Sequence, residues 1–257
     1  STNGLAAGGL TTTGNATITS CTITANDCPL QSSAAGIAAG GIFVGQVSGV
    51  TPVIKISNSI IADNIGLGSP PTNVDITDYH GGLDDAFVSG GYNLIGDGTG
   101  GSGFTGTGDQ VGTSNSPINA LLGPLANNGG PTLTHLLTGG SPAIDQGNAF
   151  GLTTEQRGTT RTLDIPSQTN AADGTDIGAT ELTCTPPTAF TTCPTAQNVD
   201  MSAGSCEKTV TYSAVANGDT PTYFYALSGA TNSTGSGTGS GFSFPKGATT
   251  VTLTATN

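Results

Sequence analysis

One short segment, LLGPLANNGGPTLTHLLTGGSPAIDQGN, holds a histidine (His135), a serine (Ser141) and an aspartate (Asp145). These are the residue types of an acyl-transfer triad, where a base takes the hydroxyl proton and a carboxylate orients the base. The nucleophile of such a site usually sits on a strained turn of the form G-x-S-x-G. Ser141 instead precedes Pro142 in GGSPAID, and no G-x-S-x-G occurs in the chain. The same residues predict turns at Gly-Pro and Gly-Gly-Pro, short apolar strands in TLTHLL and PAID, and Asp145 capping the turn at DQGN.

Asp75, Asp78, Asp84 and Asp85 surround His80 and form the one acidic cluster of the N-terminal region. Calcium takes several carboxylate and carbonyl oxygens, so this cluster is the candidate metal site, with a solvated loop as the competing reading. GDGTGG, from Gly96 to Gly101, fits G-x-G-x-x-G, but the following SGFTGTGDQ cannot make the helix a dinucleotide site needs. It predicts a loop, and no cofactor is expected beyond possible calcium.

Carbohydrate chemistry makes its own demands. A lyase needs a base and cations near the uronate carboxylate, whereas Lys55, Arg157 and Arg161 are the only cations before residue 183. Lys55 alternates with Ile54 and Ile56 and so faces outward from a strand. A hydrolase needs paired carboxylates on one wall, and adjacent Asp84 and Asp85 would face opposite sides. The chain is therefore expected not to be an enzyme. Arg157 and Arg161, close in sequence to Glu155, Asp164 and Asp176, are expected to form structural ion pairs through bidentate carboxylate bonds.

The elements that must position these residues are written in the composition. Gly is 41 of 257 residues, only 9% are charged and Trp is absent, so helix formers are scarce. Thr, Val and Ile in short runs broken by Gly and Asn predict many short strands. The net charge of −12 removes the counterion-release drive for nucleic acid and for anionic lipid, and no apolar run reaches the length of a membrane span. Neither nucleic acid nor direct membrane insertion is expected. The first residues carry no signal peptide, which fits either a cleaved leader or a piece of a longer chain.

ITSCTITAN (18–26) aligns without a gap on ISNSIIADN (56–64), pairing Ile18 with Ile56, Cys21 with Ser59, Ile23 with Ile61 and Asn26 with Asn64. Glycine-led apolar runs, GGL at 8–10 and GGIFV at 40–44, accompany the two copies. This is the pattern of a winding whose turns stack aliphatics on aliphatics. FVSGGYNLIG predicts a further turn, and the glycine-rich stretch after it reads as a surface excursion. At Pro186-Pro187 the composition shifts to an extended connector. KTVTYSAVA, PTYFYALS, GFSFP and TTVTLTAT then predict a small antiparallel sandwich.

NSIIADN, SGGYNLIGDGTG, the segment of His135, EQRG and DIGATEL together resemble the C-terminal part of bacterial surface β-helix proteins of the choice-of-anchor Q type. TTCPTAQNVD, GSCEKTVTYSA and GSGFSFPKGATTVTLTATN resemble the hyalin repeat. The first resemblance implies an all-β chain with a right-handed parallel β-helix over residues 1–183. The second implies an immunoglobulin-like hyalin-repeat module over 184–257, apparently lacking its last strand, with the Asn-Cys pair of the repeat replaced by ANGDTPTY. Together they imply a non-enzymatic, extracellular, secreted or cell-surface structural and adhesive protein, a possible subunit of a filament built through strand-edge or helix-end contacts. Its partners would be further copies, other surface proteins or glycans.

The alternative is a carbohydrate-binding or polysaccharide-cleaving β-helix protein, for which Tyr79, Phe87 and Tyr92 are the available aromatic platforms. Tyr223 and Tyr225 fit either a partner contact or core. Cys21, Cys28, Cys184, Cys193 and Cys206 are disulfide candidates for an oxidising compartment. A local Cys21–Cys28 bridge and a Cys184–Cys193 staple are both feasible, and the sequence leaves the connectivity open. Asn15 and Asn232 head N-x-[ST] sequons.

Overall fold

The computed structural model describes residues 6–28, 38–45, 52–66, 75–78, 86–165, 168–183 and 188–257. Every regular element among them is a β-strand, and the chain divides into two compact units, Ser1–Leu182 and Thr183–Asn257.

In the first unit the chain visits the same walls in rotation. Strands β1 (Ala6–Ala7) and β5 (Ala38–Ala39) pair, and β2 (Leu10–Thr12), β6 (Ile42–Val44) and β9 (Ile76–Asp78) form one wall. A second wall contains β3 (Ala16–Thr19), β7 (Ile54–Ser57) and β10 (Phe87–Ser89). The third contains β4 (Thr22–Thr24), β8 (Ile60–Ala62), β11 (Leu94–Ile95) and β12 (Gln110–Val111). All pairings are parallel, so each turn of chain adds one strand to each wall. The aligned repeat residues are strand neighbours: Ile18 lies on Ile56 and Ile23 on Ile61.

Two successive residues turn the corner between the second and third walls. The first is left-handed, at φ 51° in Ser20, 46° in Asn58 and 57° in Tyr92. The second starts a polar ladder: Cys21 N donates to Ser59 Oγ, Ser59 N to Asn93 Oδ1, and Asn93 N to Asp109 Oδ1. Left-handed residues recur after the third wall at Ala25 and Asp63, where a second ladder begins at the next position. Asn26 Nδ2 donates to Asn64 Oδ1 and Asn64 Nδ2 to Asp75 Oδ1. Amides whose hydrogens and oxygens are both engaged can be buried between turns without an orphaned polar group.

Strand alternation sends side chains to two distinct cores. Inside the coil, Ile18, Ile42, Val44, Ile54, Ile56, Ile61, Ile76, Phe87 and Ile95 stack. At about 1.5–3 kcal/mol for each fully buried aliphatic, this column is the main source of the winding's cohesion. Outside the third wall, Ile60, Ala62 and Leu94 pack against Ala120, Leu137, Ala143, Ile144, Ile165 and Ile177. Residues 118–165 and 168–182 therefore lie along the coil's flank and cover the outer face of that wall.

The glycine-rich stretch after FVSGGYNLIG is not a surface excursion. It lays a partial further turn on the winding: Ser89 N donates to Gly103 O, Tyr92 N to Thr107 O, and β12 pairs with β11. The glycines permit close approach. A Cβ on Gly103 would stand 2.0 Å from Phe87 O, and one on Gly112 2.0 Å from Gly96 O.

The second unit is antiparallel throughout. Its strands are β13 (Phe190–Thr192), β14 (Glu207–Val210), β15 (Val215–Ala216), β16 (Thr222–Gly229), β17 (Ser233–Ser236), β18 (Phe242–Pro245) and β19 (Thr249–Thr256). They form the sheets β17-β16-β19, β14-β18 and β13-β15. Tyr223, Tyr225 and Leu227 alternate with more exposed neighbours and share the inner face of β16.

Candidate functional site

The segment 118–182 holds the triad-like residues, and the structure separates them. His135 Nδ1 bonds Gly123 O at 2.7 Å, and Ser141 Oγ donates to Ala120 O at 2.6 Å while accepting from Ala143 N. Asp145 is fully buried and left-handed, and its carboxylate accepts from Ile165 N, twenty residues away. It is thus a long-range brace rather than a cap of its own turn. A serine whose hydroxyl is tied to a carbonyl, with no hydrogen bond to the histidine, has no general base to activate it.

Around Asp145 lies a cluster of enclosed charges. Asp176 Oδ1 accepts from Asp145 N and Oδ2 from Leu182 N, and Glu181 accepts from Asp176 N and Leu163 N. Arg161 Nε stands 3.6 Å from Glu181 Oε1 without a hydrogen bond, while its Nη2 donates to Asp176 O and Gly178 O. Arg157 Nε reaches both oxygens of Glu155, at 3.2 and 3.1 Å, and its Nη2 donates to Glu181 O at 2.7 Å.

Arg157 thus pairs with Glu155 while Arg161 stands beside Glu181 rather than Asp164, and neither pairing is a two-nitrogen fork. Asp164 accepts from Asn170 instead. Burial, then the neighbouring Asp176, pushes Glu181 up to about 7; burial pushes Asp176 up to about 6 and also raises Asp145. Glu181 was missed in the sequence because nothing local marks a glutamate in ATEL as one that a distant arginine draws inside.

The candidate calcium cluster does not assemble as a cation site over its described part. Asp75 is buried, with Oδ1 accepting from Asn64 N and Nδ2 and Oδ2 from Asp97 N. These N–H donors occupy the oxygens a cation would need. Burial pushes this carboxyl up to about 6. Asp78 is half-buried on β9, and Asp84, Asp85, His80 and Tyr79 lie outside the described residues. Among the described residues no group of three His, Cys, Asp or Glu side chains is placed to hold a metal ion. Gly96 to Gly101 forms a turn, with Gly101 N bonded to Gly98 O.

The structure places four of the five cysteines, and the Cys184–Cys193 staple lies outside the described residues. Cys21 keeps a thiol that donates to Thr19 O, and no bridge joins it to Cys28. Cys21 stands in the corner ladder before β4 whereas Cys28 lies beyond β4, bonded through its backbone to Ile65 O, so a strand separates them. Cys193 and Cys206 are exposed thiols, and Cys184 lies outside the described residues.

Of the aromatic platforms, Phe87 is core. Tyr92 is half-buried and meets the exposed Phe150 edge to face at 6.1 Å. Tyr223 receives Ala216 N on its hydroxyl and packs near Phe190, and Tyr225 packs near Phe242, so both line the interior of the second unit. Elsewhere on the second unit an open cleft of about 810 Å3 is bordered by Phe190, Val199, Phe244, Leu253, Lys208 and Lys246. Lys55 is exposed on the outer face of β7, as its alternation predicts.

No known family model matches the chain, and no curated protein or solved structure matches it either. No helix among the described residues is long and apolar enough to cross a membrane.

Proposed function

We propose that this chain is a non-enzymatic structural and adhesive protein of the bacterial cell exterior. In this reading residues 1–183 are coils of a right-handed parallel β-helix and 184–257 an immunoglobulin-like hyalin-repeat module. The parallel walls visited in rotation support the first assignment, and right-handed crossovers are the strong default for parallel connections. The antiparallel strands and inward-facing tyrosines support the second.

The observation that carries the functional reading is the engagement of His135, Ser141 and Asp145 by backbone partners. The residues best suited to chemistry serve as braces. A protein that invests its polar interior in ladders and braces is built to persist, and association with further copies through strand edges fits that role. Purified protein should turn over neither p-nitrophenyl esters nor polygalacturonate with calcium, and should assemble with rising concentration in sedimentation velocity. Ester turnover abolished by Ser141→Ala would overturn the non-enzymatic reading, and a monomer at every concentration would remove self-association.

The half-exposed Tyr92 and Phe150 pair favours glycan binding as a second reading. A glycan array with Phe150→Ala as control tests it.

A further inference from the structure

The enclosed charges of segment 118–182 do not balance. Glu155 and Arg157 form one pair, which leaves Asp145, Asp176 and Glu181 to Arg161 alone. All three carboxyl residues are 0% exposed and Arg161 is 3% exposed. Asp164 and Asp173, at the rim, add further negative field on Asp145 and Arg161. Among the described residues the packed coil brings no relief, because its contacts with the cluster are neutral: Thr22, Asn58 and the Cys21 thiol. His135 contributes its backbone oxygen, accepting from Thr180. A dry cluster with more carboxylates than cations is strongly unfavourable until a proton enters it.

The same residues hold the segment to the coil. Ala179 N donates to Thr22 Oγ1, Gly178 N to Asn58 O, and Asn148 N to Asn58 Oδ1, while Asn58 Nδ2 donates to Asp176 O. Beneath these bonds lie Ile60, Ala62 and Leu94.

We propose that Asp145, Asp176 and Glu181 around Arg161 form a proton-held latch, which when protonated keeps residues 143–148 and 174–182 on the third wall and when ionised releases them. The latch goes beyond the structural role by giving the coil a flank that responds to pH. Glu181, held up at about 7, and Asp176, at about 6, bind protons more tightly folded than unfolded. The stability they confer is fully present below their ordinary values near 4 and is lost as pH rises through 6 to 7. Release therefore belongs to neutral and alkaline conditions.

Hydrogen exchange of the whole chain between pH 5 and 8.5, corrected for intrinsic rates, tests this. Protection of amides in 143–148 and 174–182 should fall on the order of 1000-fold, about two powers of ten from Glu181 and one from Asp176 over this range. Amides of β7 and β8 should change much less. Glu181→Gln, which keeps the shape of the protonated acid, should flatten the profile, and Asp176→Asn should do so if the first variant does not fold. Protection that is flat, that rises with pH, that falls equally in β7 and β8, or that keeps its slope in the folded variant overturns the latch.

Discussion

Asn64 donates from both its backbone nitrogen and its side-chain Nδ2 to a single oxygen of Asp75, at 2.9 and 2.8 Å. By strand register, the position following Asn26 and Asn64 in their column is Gly98, which has no side chain to offer. Position 75 belongs to the column of Gly9 and Gly41. The third rung thus comes from the opposite side of the coil, with a glycine and a side chain exchanging places. Asp75→Gly should cost about 2 kcal/mol by leaving buried amide hydrogens unmatched. A Cβ on Gly98 would stand 2.6 Å from Val111 Cγ1. In a Val111→Ala background, which makes room for it, adding Gly98→Asn should therefore recover part of that loss, and a double-mutant cycle by urea denaturation measures the coupling. Strict additivity would contradict the exchange.

Ala25 is exposed at φ 55°, a conformation alanine adopts only with strain. Ala25→Gly should raise stability by about 0.5–1 kcal/mol, read as a higher melting temperature. A lower one would mean that the corner tolerates its alanine without cost.

Gly130 and His135 should differ in importance. Gly130 has φ 79°, and a Cβ there would stand 2.5 Å from the Arg157 Cα, so Gly130→Ala should cost about 2 kcal/mol or more. His135→Ala removes one hydrogen bond of a half-buried ring and should cost about 1 kcal/mol. Chemical denaturation of both variants gives the order directly.

Arg161→Ala should disfavour closure of the segment by about 3–5 kcal/mol as pH approaches neutrality, since closing it would then strand carboxylates in a dry interior without their cation. The loss should shrink toward pH 4.5, where Glu181 and Asp176 take up protons. A penalty independent of pH would show that Arg161 acts through packing alone.

Local pattern made the winding legible. Ile18 over Ile56 and Asn26 over Asn64 are visible as sequence columns because a stacked turn repeats its inward and ladder positions. Arg157 with Glu155 could be read from proximity in the chain. The glycine-rich stretch at 96–112 was misread because glycine serves both loops and close backbone approach, and only the neighbour at Phe87 O or Gly96 O separates the two. Phe87 and Glu181 were opaque for a shared reason. Whether a ring or a carboxylate lies inside depends on partners far away in sequence, and residue type records none of them.

The two polar ladders also have a direction. Asn26, Asn64 and Asn93 each donate a side-chain amide hydrogen to the next rung, and both series end on an aspartate, Asp75 or Asp109. An amide can pass the pattern on, whereas an ionised carboxylate only receives. For anyone lengthening this scaffold, a duplicated turn inserted between the Asn26 and Asn64 levels would meet compatible neighbours on both sides. The same turn inserted beyond Asp75 would find the chain of donors already terminated.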